Sequence, residues 1–164
     1  MSHDDALLKE LLQQEEEIQF TQFNNDMALE LGLALLKEAR TRSKPVAIDI
    51  TRHGLQLFHF AMEGTAIDNG EWIRRKNNVV QRFGHSSFFV GRSLKQAGTT
   101  IEEKYLISPH EFAAHGGAFP LIIRGVGVVG TVTVSGLPQQ EDHELVVGVL
   151  RQFLATTKDT ITTK

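Results

Sequence analysis

The chain has 164 residues, 41% of them hydrophobic, no cysteine, and a formal net charge of -3. That is enough chain for one buried core and too little for two ordinary domains, so a single domain over 1–164 is expected. The lack of cysteine excludes disulfides, thiolate metal sites, iron–sulfur clusters and cysteine nucleophiles, and the mildly acidic balance lacks the basic excess that phosphate-backbone binding needs, which argues against a nucleic-acid partner. The opening Met1-Ser2-His3-Asp4-Asp5 has neither the basic region nor the apolar run of a signal peptide. No stretch approaches the roughly 18 uninterrupted apolar residues of a membrane span, so a cytoplasmic protein with no membrane partner is expected.

In chain order, Ala6 to Glu17 carries Leu7, Leu8, Leu11 and Leu12 at helical spacing among charged and amide residues, an amphipathic helix. With its connection it occupies residues 1–23. Asn24, Asn25 and Asp26 supply a cap for a second helix reaching about Arg42, in which Met27, Ala28, Leu29, Leu31, Leu33, Leu35 and Leu36 spread around most of the circumference, predicting a deeply covered helix. Ser43-Lys44-Pro45 stops it.

Val46 to Thr51 alternates Val46, Ile48 and Ile50 against Ala47, Asp49 and Thr51, and Leu55 to Met62 is again apolar and aromatic. The pair predicts a β-hairpin turning at His53-Gly54, with His59 a core or interface histidine. Asp68-Asn69-Gly70-Glu71 resembles a capping box for a helix through Phe83 that keeps Trp72, Val79, Val80 and Phe83 on one face. Its basic run Arg74-Arg75-Lys76 is either a solvated face or an anion contact. Gly84 ends this helix, Ser86 or Ser87 starts the next, and Gly98 ends that one.

Thr99 to Pro109 reads as a connection with one short turn. Pro120 to Arg124 and Gly127 to Val134 are strands rich in β-branched residues, Ser135-Gly136 turns the chain, and a last helix follows Pro138 to about Ala155, leaving 156–164 as a frayed polar tail. The core therefore spans 24–155. Strands arriving as adjacent pairs predict an α+β layer fold with an antiparallel sheet.

Two motifs mislead. Gly125, Gly127 and Gly130 spell G-x-G-x-x-G, but a dinucleotide fingerprint must open a helix, and Thr131-Val132-Thr133-Val134 is a strand; these glycines are expected to turn the chain and let a neighbour approach. His110-Glu111 with His115 has one residue too many for the zinc-protease helix, so no metal site is expected. What remains is His115-Gly116-Gly117, whose glycines can open main chain to a ligand, and the start of the last helix, where Ser135, Gly136, Asp142 and His143 sit at a terminus that favours an anion. Lys76 or Arg75, the Gly116-Gly117 amides and the N-terminus of the helix carrying Asp142 and His143 are expected to converge on one small acidic or phosphate-like ligand, His143 adding a donor when protonated. The alternative for Asp142 and His143 is that they only complement the helix dipole and pack. No paired carboxylates, nucleophile–base pair or metal cluster is visible at reliable spacing, so whether the chain is an enzyme stays open.

Phe119-Pro120-Leu121 after the glycine pair, Gly-x-x-Gly-x-x-x-Val-Ser-Gly over 127–136 and Glu141-Asp142-His143 resemble the haem-degrading-domain family, which includes glycolate-operon proteins and a C-terminal domain of corrinoid adenosyltransferases. Trp72-Ile73-Arg74-Arg75-Lys76-Asn77, Arg82-Phe83 with Ser86-Ser87, and His115 to Pro120 resemble its UPF0303 branch. The likeness runs from about Asn24 to Phe153. It implies a profilin-like α+β fold with a five-stranded antiparallel sheet, the fifth strand near Ala113 to Gly116, and assembly into homo-oligomers. Haem is the cofactor it implies, with His115 and then His85 as candidate ligands, since the chain offers no cysteine and only three Met and one Tyr. The function so implied is that of an oligomeric small-ligand-binding or accessory protein taking haem or a small anion, the alternatives being a weak haem-degrading enzyme and a non-catalytic scaffold for a protein partner.

Overall fold

In the computed structural model, which describes residues 2–162, the alternation at Val46 to Thr51 becomes one of the two inner strands of a sheet. The elements run α1 His3–Glu17, α2 Asn25–Thr41, β1 Ala47–Arg52, β2 Leu55–Ala61, α3 Ile67–Phe83, α4 Ser87–Gln96, α5 Ile101–Tyr105, β3 Ala118–Ile123, β4 Gly127–Ser135 and α6 Gln139–Thr162. The sheet has the order β2-β1-β4-β3 with every pairing antiparallel, Ile48 opposite Val134 and Phe119 opposite Val132. This is the α+β layer fold predicted.

Strand alternation decides the two faces. Ile48, Ile50, Phe119, Leu121, Val132 and Val134 point to one side and are buried against α2 and α6, whose Leu31, Leu35, Leu145 and Leu150 complete the core. Each such side chain, fully buried, contributes about 1.5–3 kcal/mol. The opposite face presents Asp49, Thr131, Thr133 and Ser135, all buried, and α3 lies over them. Asn77 of α3 donates to Asp49 (3.1 Å) and accepts from the Thr133 hydroxyl (2.5 Å), so α3 is tied to this face through matched polar groups at Asp49 and Thr133, while the buried Thr131 hydroxyl has no partner among the described residues. A second apolar cluster of Val79, Val90, Leu94 and Ile101 joins α3, α4 and α5.

Several expectations need correction. The sheet has four strands; 113–116 is loop, where Ala113 N–H bonds the Arg75 carbonyl. The position beyond β3 is taken by Phe20, a single parallel bridge to Ile123, its N–H donating to Ile122 and its carbonyl accepting from Arg124, both at 2.8 Å. Ile18 and Phe20 are buried there, and this pins the α1–α2 connection to the sheet edge. The second helix is covered on one side only, leaving Leu29 and Leu33 half exposed. His59 is exposed, because β2 is an edge strand whose outer face nothing covers. The third helix starts at Ile67, with the Asn69 side chain bonding Ala66 N–H at 2.8 Å, and the last reaches Thr162 where a break near Ala155 was expected. At Gly130, a Cβ would lie 2.0 Å from the Thr51 carbonyl oxygen, so the glycine lets β1 close on β4 as the sequence led us to expect.

Candidate functional site

Consecutive residues on a helix point about 100° apart, so the three cations Arg74, Arg75 and Lys76 of α3 meet three environments. Arg74 faces outward and pairs with Glu71 (3.1 Å) and Glu111 (2.7 Å). Arg75 lies over the Trp72 ring, 4.3 Å from its centroid, a cation–π contact. Lys76 points inward and is only 3% exposed.

Lys76 Nζ sits 3.1 Å from Asp142 Oδ2 and donates at 3.4 Å to the Val134 carbonyl. Asp142, in the first turn of α6, is 1% exposed, and its Oδ1 accepts from Leu137 N–H at 3.0 Å. Burial pushes the Asp142 carboxyl up to about 6, against the pull of Lys76 and the backbone amides of Leu137 and Gly136. Burial likewise holds Lys76 below the usual lysine range, with Asp142 pulling the other way. Desolvation thus drives both partners toward their neutral forms, narrowing the gap between the ion pair and its proton-transferred state.

Gly117 closes over this pair. Its φ is 140°, and a Cβ there would lie 2.5 Å from the Val134 carbonyl oxygen and 2.6 Å from Lys76 Nζ, so only glycine lets the loop pass. The structure therefore brings Lys76, Gly117 and the start of α6 together, as the sequence suggested. Two details differ. The Gly116 amide is spent on Gln139 Oε1 (3.0 Å), and the place at the α6 terminus expected for a ligand's anion is filled by the chain's own Asp142.

Beside the pair lies a cleft of about 430 Å³ lined by Trp72, Lys76, His115, Ser135, Gln139 and Asp142, with Gly136 at its rim. His115 meets Trp72 edge-on, ring centroids 5.4 Å apart. Burial first, then the nearby Lys76 and Arg75 charges, push the His115 imidazole below its ordinary value and keep it neutral. Trp72 and His115 also wall an adjoining cleft of about 360 Å³ that holds Arg75 and Lys95.

Two expected members lie elsewhere. His143 follows Asp142 by one residue and faces the core, 2% exposed, its Nε2 2.8 Å from Gln14 Oε1 and its ring against Phe88. Burial pushes it down to about 4, so it cannot serve as a donor switched on near neutral pH. His85, the second haem-ligand candidate, lines neither cleft; its Nδ1 is 2.8 Å from Glu15 Oε1 of α1. His110 and Glu111 sit in a turn, not on a helix.

Asn69, Trp72, Leu137 and Gln139 are the lining residues that sequence reasoning did not assign. Trp72 precedes Lys76 by four residues, the spacing that places side chains on one helix face, and could have been found that way.

Comparison with known proteins follows the same architecture. A UPF0303 protein of Streptomyces coelicolor is 54% identical over 145 residues, covering 88% of this chain and 92% of its own. One of Edwardsiella ictaluri is 49% identical over 154 residues, covering 94% and 98%. The crystal structure of Ybr137w protein superposes with a TM-score of 0.85 at 37% identity, covering 92% of this chain and 88% of that one. A PduOC:heme complex superposes at 0.66 with 17% identity, covering 79% and 93%, a likeness of fold. Residues 23–151 match the family described as Haem degrading protein HbpS-like, and to that family, alongside its UPF0303 proteins, this chain belongs.

Proposed function

We propose that the chain is an oligomeric small-ligand-binding protein whose ligand occupies the cleft between Trp72, His115 and Gln139. The observation that carries this is the Lys76–Asp142 ion pair set into the cleft wall. A buried ion pair rarely repays its desolvation, and apolar residues of similar size would hold the fold as well. Perturbed titratable groups at a cleft are where binding and chemistry concentrate. Because Asp142 neutralises Lys76, the cleft suits a small molecule with one acidic or carbonyl group, not a polyphosphate. The Ser135 hydroxyl and the Gln139 amide supply neutral donors.

Trp72 is the only tryptophan, so its fluorescence reports on this cleft directly. Titration with acetate, lactate and inorganic phosphate should give a saturable change for a small carboxylate, weakened about tenfold or more, the equivalent of one lost hydrogen bond to a charged group, in Ser135→Ala. A flat response to all three ends the reading.

Haem is a second reading, favoured by the PduOC:heme complex among the similar folds. His115 is the residue that would hold the haem iron. His115 lines both clefts, and the causes that lower its imidazole favour the neutral form, the form that coordinates iron; Arg75 and Lys95 of the adjoining cleft offer cations for carboxylates. In this reading hemin binding shifts the Soret band in wild type and not in His115→Ala. An identical shift in both leaves only nonspecific uptake.

A further inference from the structure

We propose that Lys76 is a nucleophilic lysine, condensing through Nζ with the carbonyl carbon of a small aldehyde or ketone held in the cleft, with Asp142 as its proton partner. This rests on the reading of the cleft as the ligand site and adds to it a covalent step.

Three observations carry it. Lys76 lines the 430 Å³ cleft although it is only 3% exposed, and Asp142, the partner of its Nζ, lines the same cleft. Two of its three donor positions are used, by Asp142 at 3.1 Å and the Val134 carbonyl at 3.4 Å. Asp142 is close enough to exchange a proton with it directly. Burial pushes the lysine down and the carboxyl up to about 6, so moving the proton from ammonium to carboxylate costs far less here than between exposed groups.

The step balances without an oxidant or a second reactant. Ammonium gives one proton to Asp142. The freed amine attacks the carbonyl carbon, forming the C–N bond as the C=O π pair moves to oxygen. One proton passes from nitrogen to that oxygen and the Asp142 proton follows, so the oxygen leaves as water and the nitrogen lone pair closes C=N. The product is a protonated imine beside the Asp142 carboxylate, and the buried site holds the same net charge before and after.

The test is reductive trapping on the intact wild-type chain. Pyruvate, dihydroxyacetone and acetaldehyde are each incubated with sodium cyanoborohydride at neutral pH, and adducts are located by peptide mapping. At least one compound should label Lys76 about tenfold or more above the exposed Lys37 and Lys104, because an ordinary lysine is almost wholly protonated at that pH. Labelling of Lys76 should level off at a lower pH than that of an ordinary lysine. Labelling spread evenly over the exposed lysines, or none at Lys76 with any of the three, overturns the proposal. A saturable Trp72 response to these compounds without labelling removes the covalent step and leaves the cleft as a ligand site; neither response nor label removes both. The readout does not depend on a variant that must fold, and Lys76→Arg serves only to confirm the peptide assignment.

Discussion

Gln14 and His143 lie 129 residues apart and meet at 2.8 Å, Oε1 to Nε2, joining α1 to the start of α6 inside the protein. Gln14 can only accept at that oxygen, so the neutral imidazole carries its proton on Nε2. His143 Nδ1 has no partner among the described residues. Together with Glu15, which reaches His85 and the Ser86 amide, this contact docks α1 through buried polar groups as well as through Leu11.

Acid sensitivity follows with a definite sign. His143 falls from an ordinary 6.5 to about 4 in the folded state. Between those values the unfolded chain binds the extra proton, so the His143 contribution to stability is intact above 6.5 and lost as pH falls toward 4. Asp142 is raised from 3.8 to about 6 and acts in the opposite direction, favouring the fold as pH falls through that range. Comparison with His143→Gln isolates the first effect. Measured by denaturant unfolding, the difference should be constant above pH 6.5 and should move in the variant's favour by about 3 kcal/mol by pH 4. A difference that does not change with pH would mean that His143 is not the group that titrates.

The ion pair makes a second prediction. Lys76→Met strands a buried carboxylate, and Asp142→Leu strands a buried ammonium, each costing about 3–5 kcal/mol. Removing both leaves no uncompensated charge, so the double variant should cost much less than the sum of the singles. Lys76 is one of the groups that hold Asp142 down, so Asp142 takes up its proton at a higher pH in Lys76→Met than in wild type, and the loss should shrink as pH falls toward 6 and level off below it. Additive losses in the double-mutant cycle would show that the two side chains do not act as a pair.

The sheet was legible because its alternation is strict. Val46, Ile48 and Ile50 against Asp49 and Thr51, and Val132 and Val134 against Thr131 and Thr133, assign both faces before any pairing is known. The Phe20 bridge was not, since one residue paired to an edge has no periodicity. Leucine on every side of α2 hid the fact that Leu29 and Leu33 are left uncovered. In the site, Lys76 looks like its neighbours Arg74 and Arg75, and only the packing of α3 on β4 tells them apart. His143 could have been read correctly: with Val146, Val147 and Leu150 it falls on the helical spacing of the core face, away from Asp142.

Gly117→Ala should be severe. The added methyl would meet the Val134 carbonyl oxygen at 2.5 Å, and φ of 140° strains any side chain. A loss of several kcal/mol, with Lys76 displaced and the Trp72 emission altered, is expected. Gly148→Ala, at an exposed position on α6 where a Cβ meets nothing within 4 Å, should instead stabilise by about 0.5–1 kcal/mol. Equal effects at the two positions would contradict the close fit of the loop over Lys76.

Self-association is the last prediction, and it rests on surface that the single chain leaves uncovered. Leu29 and Leu33, 51% and 50% exposed, lie one turn apart on α2, and the edge strand β2 adds Leu55 at 60% and Phe60 at 40%. The two elements are neighbours, since Phe58 of β2 packs against α2 at Gly32, so this margin of the protein carries uncovered apolar side chains beside the free edge of β2. Such a margin is an aggregation hazard in a monomer and the ordinary material of a symmetric interface. Light scattering should return a multiple of the 18.3 kDa chain mass that is stable on dilution. Leu29→Glu with Leu33→Glu should lower that mass while leaving the far-ultraviolet circular dichroism unchanged, because neither side chain contributes to the core. A wild-type mass of 18.3 kDa at every concentration would show that the margin is covered by nothing but water.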